Sequence, residues 1–256
     1  MLILLPPSEG KAAPGRRGRP VDLGALSNPE LTETRAAVRE ALLAASAHPE
    51  ALRLLGVSLG LAGEVAQNLR IEALPAAPAM TVYTGVLYAA LDYPTLSPAA
   101  RRRASRSLKV QSALWGLVGP ADRIAPYRLA MGVTLPGIGP LAARWRAVLD
   151  PVLTAAAGSG VVVDCRSAPY AAAWRPRGDL VRRTVGIRVF TEQDGRRTVV
   201  SHLAKHTRGL VARWLLEAPG TPRTPAAVAT VVADHLSCQL VDLGRAGYAL
   251  DVLTGL

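Results

Sequence analysis

Met1-Leu2-Ile3-Leu4-Leu5-Pro6-Pro7-Ser8-Glu9-Gly10-Lys11 is the stretch from which the fold reads outward. Leu2 to Leu5 is an uninterrupted apolar run that two prolines stop abruptly, the pattern of a short buried strand. Ser8-Glu9-Gly10-Lys11 then makes a polar loop just past the strand's end. Similar runs recur downstream. Val161-Val162-Val163-Asp164 reads as a second buried strand, followed by a loop from Cys165 to Tyr170. Met80-Thr81-Val82-Tyr83 reads as a strand leading into Thr84-Gly85, and Leu114-Trp115-Gly116-Leu117-Val118-Gly119 as a buried strand or turn. Thr184 to Phe190 and Thr198 to Ser201, linked by Glu192-Gln193-Asp194-Gly195, make a hairpin around Asp-Gly.

Helices separate these strands. They are expected from Pro29 to about Ala47, from Glu50 to Leu55 and from Leu61 to Leu69. Others run from Pro98 to Lys109 (strongly basic), Gly139 to Leu153, Lys205 to Leu216 and Pro225 to Asp234, the last leading to a polar tail. Ala12 to Leu26 is a basic loop without periodicity. No repeat and no long linker divides residues 1–256, so the expectation is one α/β (mixed α+β) domain, a mixed sheet flanked by helices.

The composition, 50% apolar with 19% charged residues, excludes a disordered chain, and no apolar run approaches a membrane span. Met1 to Leu5 is too short for a signal-peptide core and lacks a basic lead. Two cysteines make no disulfide framework. A cytoplasmic protein in a reducing compartment is expected. The net charge of +11 suggests a polyanionic partner, yet a general taste for arginine explains it equally well. Of the 30 basic residues only Lys11, Lys109 and Lys205 are lysines. Where arginine is the default cation, a lysine draws interest as a compact ammonium able to shift its pKa.

Leu135-Pro136-Gly137-Ile138-Gly139-Pro140 has the Gly-apolar-Gly form of a helix-hairpin-helix, whose amides approach phosphate closely. A Pro/Gly turn that merely opens a core helix is the plainer account, since Tyr127 to Thr134 is a poor preceding helix. Ser8-Glu9-Gly10-Lys11 lacks the glycine and hydroxyl of a full phosphate loop but remains a reasonable ligand site. His202 and His206 stand four apart without a third ligand, so no metal site is expected. No cofactor motif is present.

Several segments together resemble the YaaA family of peroxide-stress resistance proteins. They are Met1-Leu2-Ile3-Leu4, Tyr83-Thr84-Gly85, Ser112-Ala113-Leu114-Trp115-Gly116, Pro126-Tyr127-Arg128-Leu129-Ala130-Met131-Gly132 and Ala204-Lys205-His206-Thr207-Arg208-Gly209-Leu210. The resemblance implies a "cantaloupe" arrangement of mixed α/β structure with a basic cleft. It also implies binding of double-stranded or distorted DNA through a helix-hairpin-helix element, and a role in limiting oxidative DNA damage. The matching polar positions are Tyr83, Thr84, Tyr127, Arg128, Lys205 and Arg208. The helices around Leu61-Ala62-Gly63 fall where the family carries its helix-hairpin-helix, whereas Gly137 and Gly139 lie where it carries a different polar loop.

Ser8 and Lys11, Tyr83 and Thr84, Tyr127 and Arg128, Ser167 and Tyr170, and Lys205 and Arg208 all fall beyond expected strand ends or at a helix start. Loops at one sheet edge converge there. Two readings follow. In the first the protein binds DNA by its backbone, with phosphates held by Arg101, Arg102, Arg103, Arg128, Lys205 and Arg208. In the second an enzyme acts on a small anionic, nucleotide-like metabolite in the same cleft. Lys11 or Lys205 would then be the base or electrostatic stabiliser, and Tyr83 or Tyr127 the proton donor.

Overall fold

The computed structural model describes residues 1–193, 196–198 and 200–254. Its main sheet contains eight strands. They are β1 (Leu2–Leu5), β2 (Leu108–Ser112), β3 (Gly116–Val118), β4 (Val162–Asp164), β5 (Thr184–Gln193), β6 (Arg196–Thr198), β7 (Cys238–Asp242) and β8 (Tyr248–Thr254). Their spatial order is β7-β8-β5-β4-β1-β2-β3, with β6 paired to β5. The five strands from β8 to β2 are parallel, and β7 and β3 add antiparallel edges. Central parallel strands are covered on both faces and therefore read as unbroken apolar runs. Leu2 to Leu5 meets that requirement with every residue fully buried.

The helices are α1 (Thr32–Ala47), α2 (Ala51–Leu54), α3 (Ala62–Asn68), α4 (Ala79–Val82), α5 (Val86–Leu91), α6 (Pro98–Ser107), α7 (Leu141–Ala157), α8 (Ala168–Ala171), α9 (Ser201–Glu217) and α10 (Pro225–Ala233). From β1 the chain passes through α1 to α6 and returns as β2 on one side of β1. It then reaches β4 on the other side by way of α7. Connections diverging on either side of β1 leave a crevice at the carboxyl ends of β1 and β4, the place where open α/β sheets bind ligands.

Four expectations change. Met80 to Tyr83 is not a strand: Ala79–Val82 is a single helical turn, closed by the Tyr83 amide on the Ala79 carbonyl at 3.0 Å. The Thr81 hydroxyl donates to the Pro78 carbonyl at 2.8 Å and reinforces that turn. The basic helix ends at Ser107, and Lys109 sits in β2. The hairpin's second arm is Arg196–Thr198, with Ser201 already in α9, while its Asp194-Gly195 turn lies outside the described residues. The polar tail is in fact two strands, β7 and β8. Asp251 disguised β8, because it is buried beside Arg188 of β5, which donates to it at 2.5 and 2.8 Å.

Close packing sets the helix that carries Lys205 and Arg208. α9 crosses α5 so tightly that a Cβ on Gly209 would lie 2.1 Å from the Leu87 carbonyl oxygen and 2.9 Å from Ala90 Cβ. At the far end α6 and α9 clamp each other. The Ser97 amide and hydroxyl donate to Glu217 at 2.8 and 2.7 Å, and Arg103 donates to the carbonyls of Leu216 and Ala218.

Candidate functional site

A cavity of about 690 Å³ occupies the crevice. Its lining comes from the loop after β1, the loop after β4, the start of α5, the segment after Arg128, and α9. The loop after β1 is held from several directions. The Tyr88 hydroxyl donates to the Pro6 carbonyl at 2.7 Å, and the Thr84 amide donates to the Ser8 hydroxyl at 3.0 Å. Thr84 Oγ1 donates to the Gly10 carbonyl at 3.2 Å, and Lys11 bridges to Tyr83 in a single antiparallel pair. Ser8, Lys11, Tyr83 and Thr84, far apart in sequence, thus form one unit.

Lys11 occupies the cavity wall. Its Nζ donates to the carbonyls of Ser8 at 2.9 Å and Glu9 at 3.2 Å, and lies 4.2 Å from the centre of the Tyr127 ring. Burial chiefly, then the neighbouring Arg128, lowers its pKa to about 7 against the opposing pull of Glu64 and Glu9. Behind it the Tyr127 and Ser112 hydroxyls share a hydrogen bond of 2.7 Å. Tyr83 stacks on Tyr88 with ring centres 5.4 Å apart, and its buried hydroxyl has no hydrogen-bond partner among the described residues. Burial raises the pKa of Tyr83, Tyr88, Tyr127 and Tyr170, so all four phenols stay protonated.

Three more cations reach the cavity. Arg128 is fixed through its own backbone, because the Asn68 side chain accepts from its amide at 2.8 Å and donates to its carbonyl at 3.0 Å. Its guanidinium meets the Glu9 carbonyl at 3.0 Å and Glu64 at 3.4 Å. Lys205 pairs with Glu9 at 3.1 Å, and Arg208 rests on the Ile187 carbonyl at 3.2 and 3.3 Å. The Lys205–Glu9 and Arg128–Glu64 pairs are partly exposed, where ion pairs contribute at most about 1 kcal/mol, so an arriving anion displaces the carboxylates at little cost.

Ser8, Lys11, Thr84, Arg128, Ser167, Tyr170, Lys205 and Arg208 therefore line one cavity. Tyr83 and Tyr127 stand behind its wall. Arg101, Arg102 and Arg103 do not line it: Arg101 donates to the carbonyls of Pro94 and Leu96, and Arg103 caps α9. Gly137 and Gly139, both with positive φ, turn a two-residue β-hairpin (Thr134–Leu135 with Gly139–Pro140) that opens α7, and a β-arm precedes the turn where a helix-hairpin-helix has a helix. α2 and α3 are short helices joined through Leu55 to Leu61.

The family model described as "Peroxide stress protein YaaA" matches residues 1–237. The chain belongs to the YaaA family. A UPF0246 protein of Streptomyces coelicolor is 48% identical over 258 residues, covering 99% of this chain and 98% of its own. A UPF0246 protein of Corynebacterium efficiens is 40% identical over 235 residues, covering 90% of this chain and 91% of its own. The YaaA motifs now have physical reasons. Tyr-Thr-Gly locks the Lys11 loop, the tyrosine of Pro-Tyr-Arg backs Lys11, and Gly209 of the α9 motif lets α5 approach.

Sequence reasoning missed Asn68, which is fully buried and positions Arg128, and the buried polar cluster around Arg166, which does not itself line the cavity. Arg166 donates to both oxygens of Asp164 at 2.8 and 2.7 Å and to Gln111 Oε1, while Gln111 Nε2 is buried without a partner among the described residues. A polar residue on the buried stripe of α3 was the available signal for Asn68. Nothing local marked Gln111. Among the described residues no group of three or more His, Cys, Asp or Glu converges, and no helix is long and apolar enough to cross a membrane.

Proposed function

We propose that this protein serves the peroxide-stress response of its family by binding double-stranded or distorted DNA through the phosphodiester backbone, limiting oxidative damage. The observation that carries this reading is the gathering of Lys11, Arg128, Lys205 and Arg208, from three separate stretches of chain, around one cavity at the switch point of the sheet. Such cations hold phosphates and carry no sequence information. The cavity's volume of about 690 Å³ is that of a small-ligand site. A duplex therefore lies across the mouth, and only a distorted or extruded nucleotide enters.

The test is fluorescence anisotropy of a labelled duplex titrated across salt concentrations. Affinity falls with a log-log slope of about −0.9 per phosphate contacted. Arg128→Ala lessens that slope by roughly 1 and weakens unrelated sequences equally. Affinity indifferent to salt would sink the proposal.

A second reading, an enzyme for a small anionic metabolite, is favoured by one observation: the same cavity holds Lys11 in a wall where burial frees it from its proton near neutrality. In that case Tyr170, which lines the cavity, takes the donor role ahead of Tyr83 and Tyr127. A mononucleotide that raises the melting temperature while duplex fails to bind favours this reading.

A further inference from the structure

We propose that Lys11 is a nucleophile that captures the open-chain aldehyde of a phosphorylated sugar, forming a covalent imine inside the cavity. The class of substrate is a base-free deoxyribose carrying phosphate, whether within a damaged DNA strand or free as a sugar phosphate. The inference rests on the anion-binding reading of the same site and names the chemistry that follows binding.

The geometry around Nζ is the first support. A neutral primary amine has two N–H bonds and one lone pair. Two carbonyl acceptors, of Ser8 and Glu9, take up the two N–H bonds, and the lone pair is left over for an electrophile. The two carboxylates nearest Lys11 are engaged elsewhere, Glu9 with Lys205 and Glu64 with Arg128. Among the described residues no carboxylate is hydrogen-bonded to this ammonium to hold its proton. The loop that carries it is pinned at Pro6, Ser8 and Gly10, so the amine is preorganised.

The surroundings are the second support. Arg128, Lys205 and Arg208 share the cavity with Lys11 and suit a phosphate. Leu55, Val57, Leu129 and Met131 supply apolar wall that keeps water from hydrolysing an imine. Tyr170 offers a protonated phenol in the same wall. The charged and titratable groups facing Lys11 are Arg128, Glu64 and Glu9 together with the phenol of Tyr127. With a pKa of about 7 in place of 10.5, the neutral fraction at pH 7 is on the order of a thousandfold larger than that of an ordinary lysine.

The step balances without an oxidant or a metal. The lone pair of Nζ attacks the aldehyde carbon to form a C–N bond, and the carbonyl oxygen takes a proton. The resulting carbinolamine then loses that oxygen as water, leaving a C=N bond to Lys11. Both hydrogens of the water come from the amine, relayed through cavity hydroxyls. Hydrolysis reverses the step.

The experiment is reductive trapping with cyanoborohydride on the full chain. Its three probes are a duplex with one abasic site, the same duplex intact, and 2-deoxyribose 5-phosphate. Anisotropy without reductant measures binding of both duplexes in parallel. The expected result is an adduct with the abasic duplex or the sugar phosphate, absent with the intact duplex, that peptide mass spectrometry places on Lys11. Labelling at Lys11 exceeds that at Lys109, Lys205 or the amino terminus at least tenfold and rises with pH around 7. Lys11→Arg abolishes it and Lys109→Arg, outside the cavity lining, does not; mapping on the wild type decides the matter even if Lys11→Arg fails to fold. Labels spread over the lysines by exposure overturn the proposal. Binding of the abasic duplex with no adduct from either aldehyde probe overturns the imine and leaves DNA binding standing. Trapping of the sugar phosphate on Lys11 without binding of either duplex supports the imine and overturns the DNA reading.

Discussion

Arg35 and Lys11 are both cations resting on backbone carbonyls, and they differ in what is left over. Arg35, in the first turn of α1, is fully buried. It donates to the carbonyls of Ser27, Asn28, Trp115 and Leu117 at 2.6, 3.1, 2.9 and 3.1 Å. Burial lowers its pKa only to about 10, so it stays charged with four of its five N–H donors engaged. Lys11 has two carbonyl partners and a face on a cavity. A cation that holds backbone carbonyls and faces no cavity is scaffold, and one that also lines a cavity belongs to a site. Arg103 follows the first pattern and Arg128 the second. The net charge of +11 therefore says little until each guanidinium's partners are counted.

Removing the scaffold cation should have the larger effect. Arg35→Met leaves buried carbonyls without donors and is expected to cost about 3–5 kcal/mol in urea denaturation. Arg35→Lys rescues little, because one ammonium cannot span the acceptors that a planar fork reaches. Loss below about 1 kcal/mol would mean that the two cations differ less than their geometry indicates. Next comes Gly209→Ala, which places a methyl group against the Leu87 carbonyl. Overpacking of this kind costs about 2 kcal/mol. It also parts α5 from α9, so duplex affinity falls along with stability. Unchanged melting would show that the two helices yield freely.

Lys11 itself supplies a pH signature. Its folded pKa of about 7 lies below its ordinary 10.5, chiefly through burial. Between those values the unfolded chain holds a proton that the folded chain has released, so this group makes stability rise with pH across that window. Below pH 7 both states are charged and its contribution is level. Denaturation at a series of pH values should show wild type gaining on the order of 1 kcal/mol per pH unit relative to Lys11→Met within the window. Parallel curves for the two proteins would contradict the shifted pKa.

What the sequence reveals follows the same division between local and distant causes. β1, β4, α1, α9 and α10 are legible because each carries its own apolar pattern. β8 is not, because its Asp251 is made acceptable by Arg188, 63 residues earlier in the chain. α4 is misread because Val82 and Tyr83 favour strands, while backbone bonds from Ala79 to Asp122 and Met80 to Pro120 hold the turn from outside. At the site, the residues beyond strand ends are legible, since sheet topology brings such loops together. Asn68 is not, since its role exists only where the Arg128 segment passes.

The α6 arginines give the finest test of the contrast. Arg103 caps α9, and Arg103→Ala should cost about 1 kcal/mol in thermal or urea unfolding. Arg102 is exposed, and its guanidinium has no hydrogen-bond partner among the described residues. Arg102→Ala should leave stability within about 0.5 kcal/mol of wild type. Its effect on binding is then free of any structural disturbance. Arg102 does not line the cavity, so if phosphates are held only at the carboxyl edge of β1 and β4 the salt slope stays that of wild type. A slope lessened by about 1 instead places α6 along the DNA track. Either outcome draws the boundary of the surface from a residue whose removal the fold does not feel.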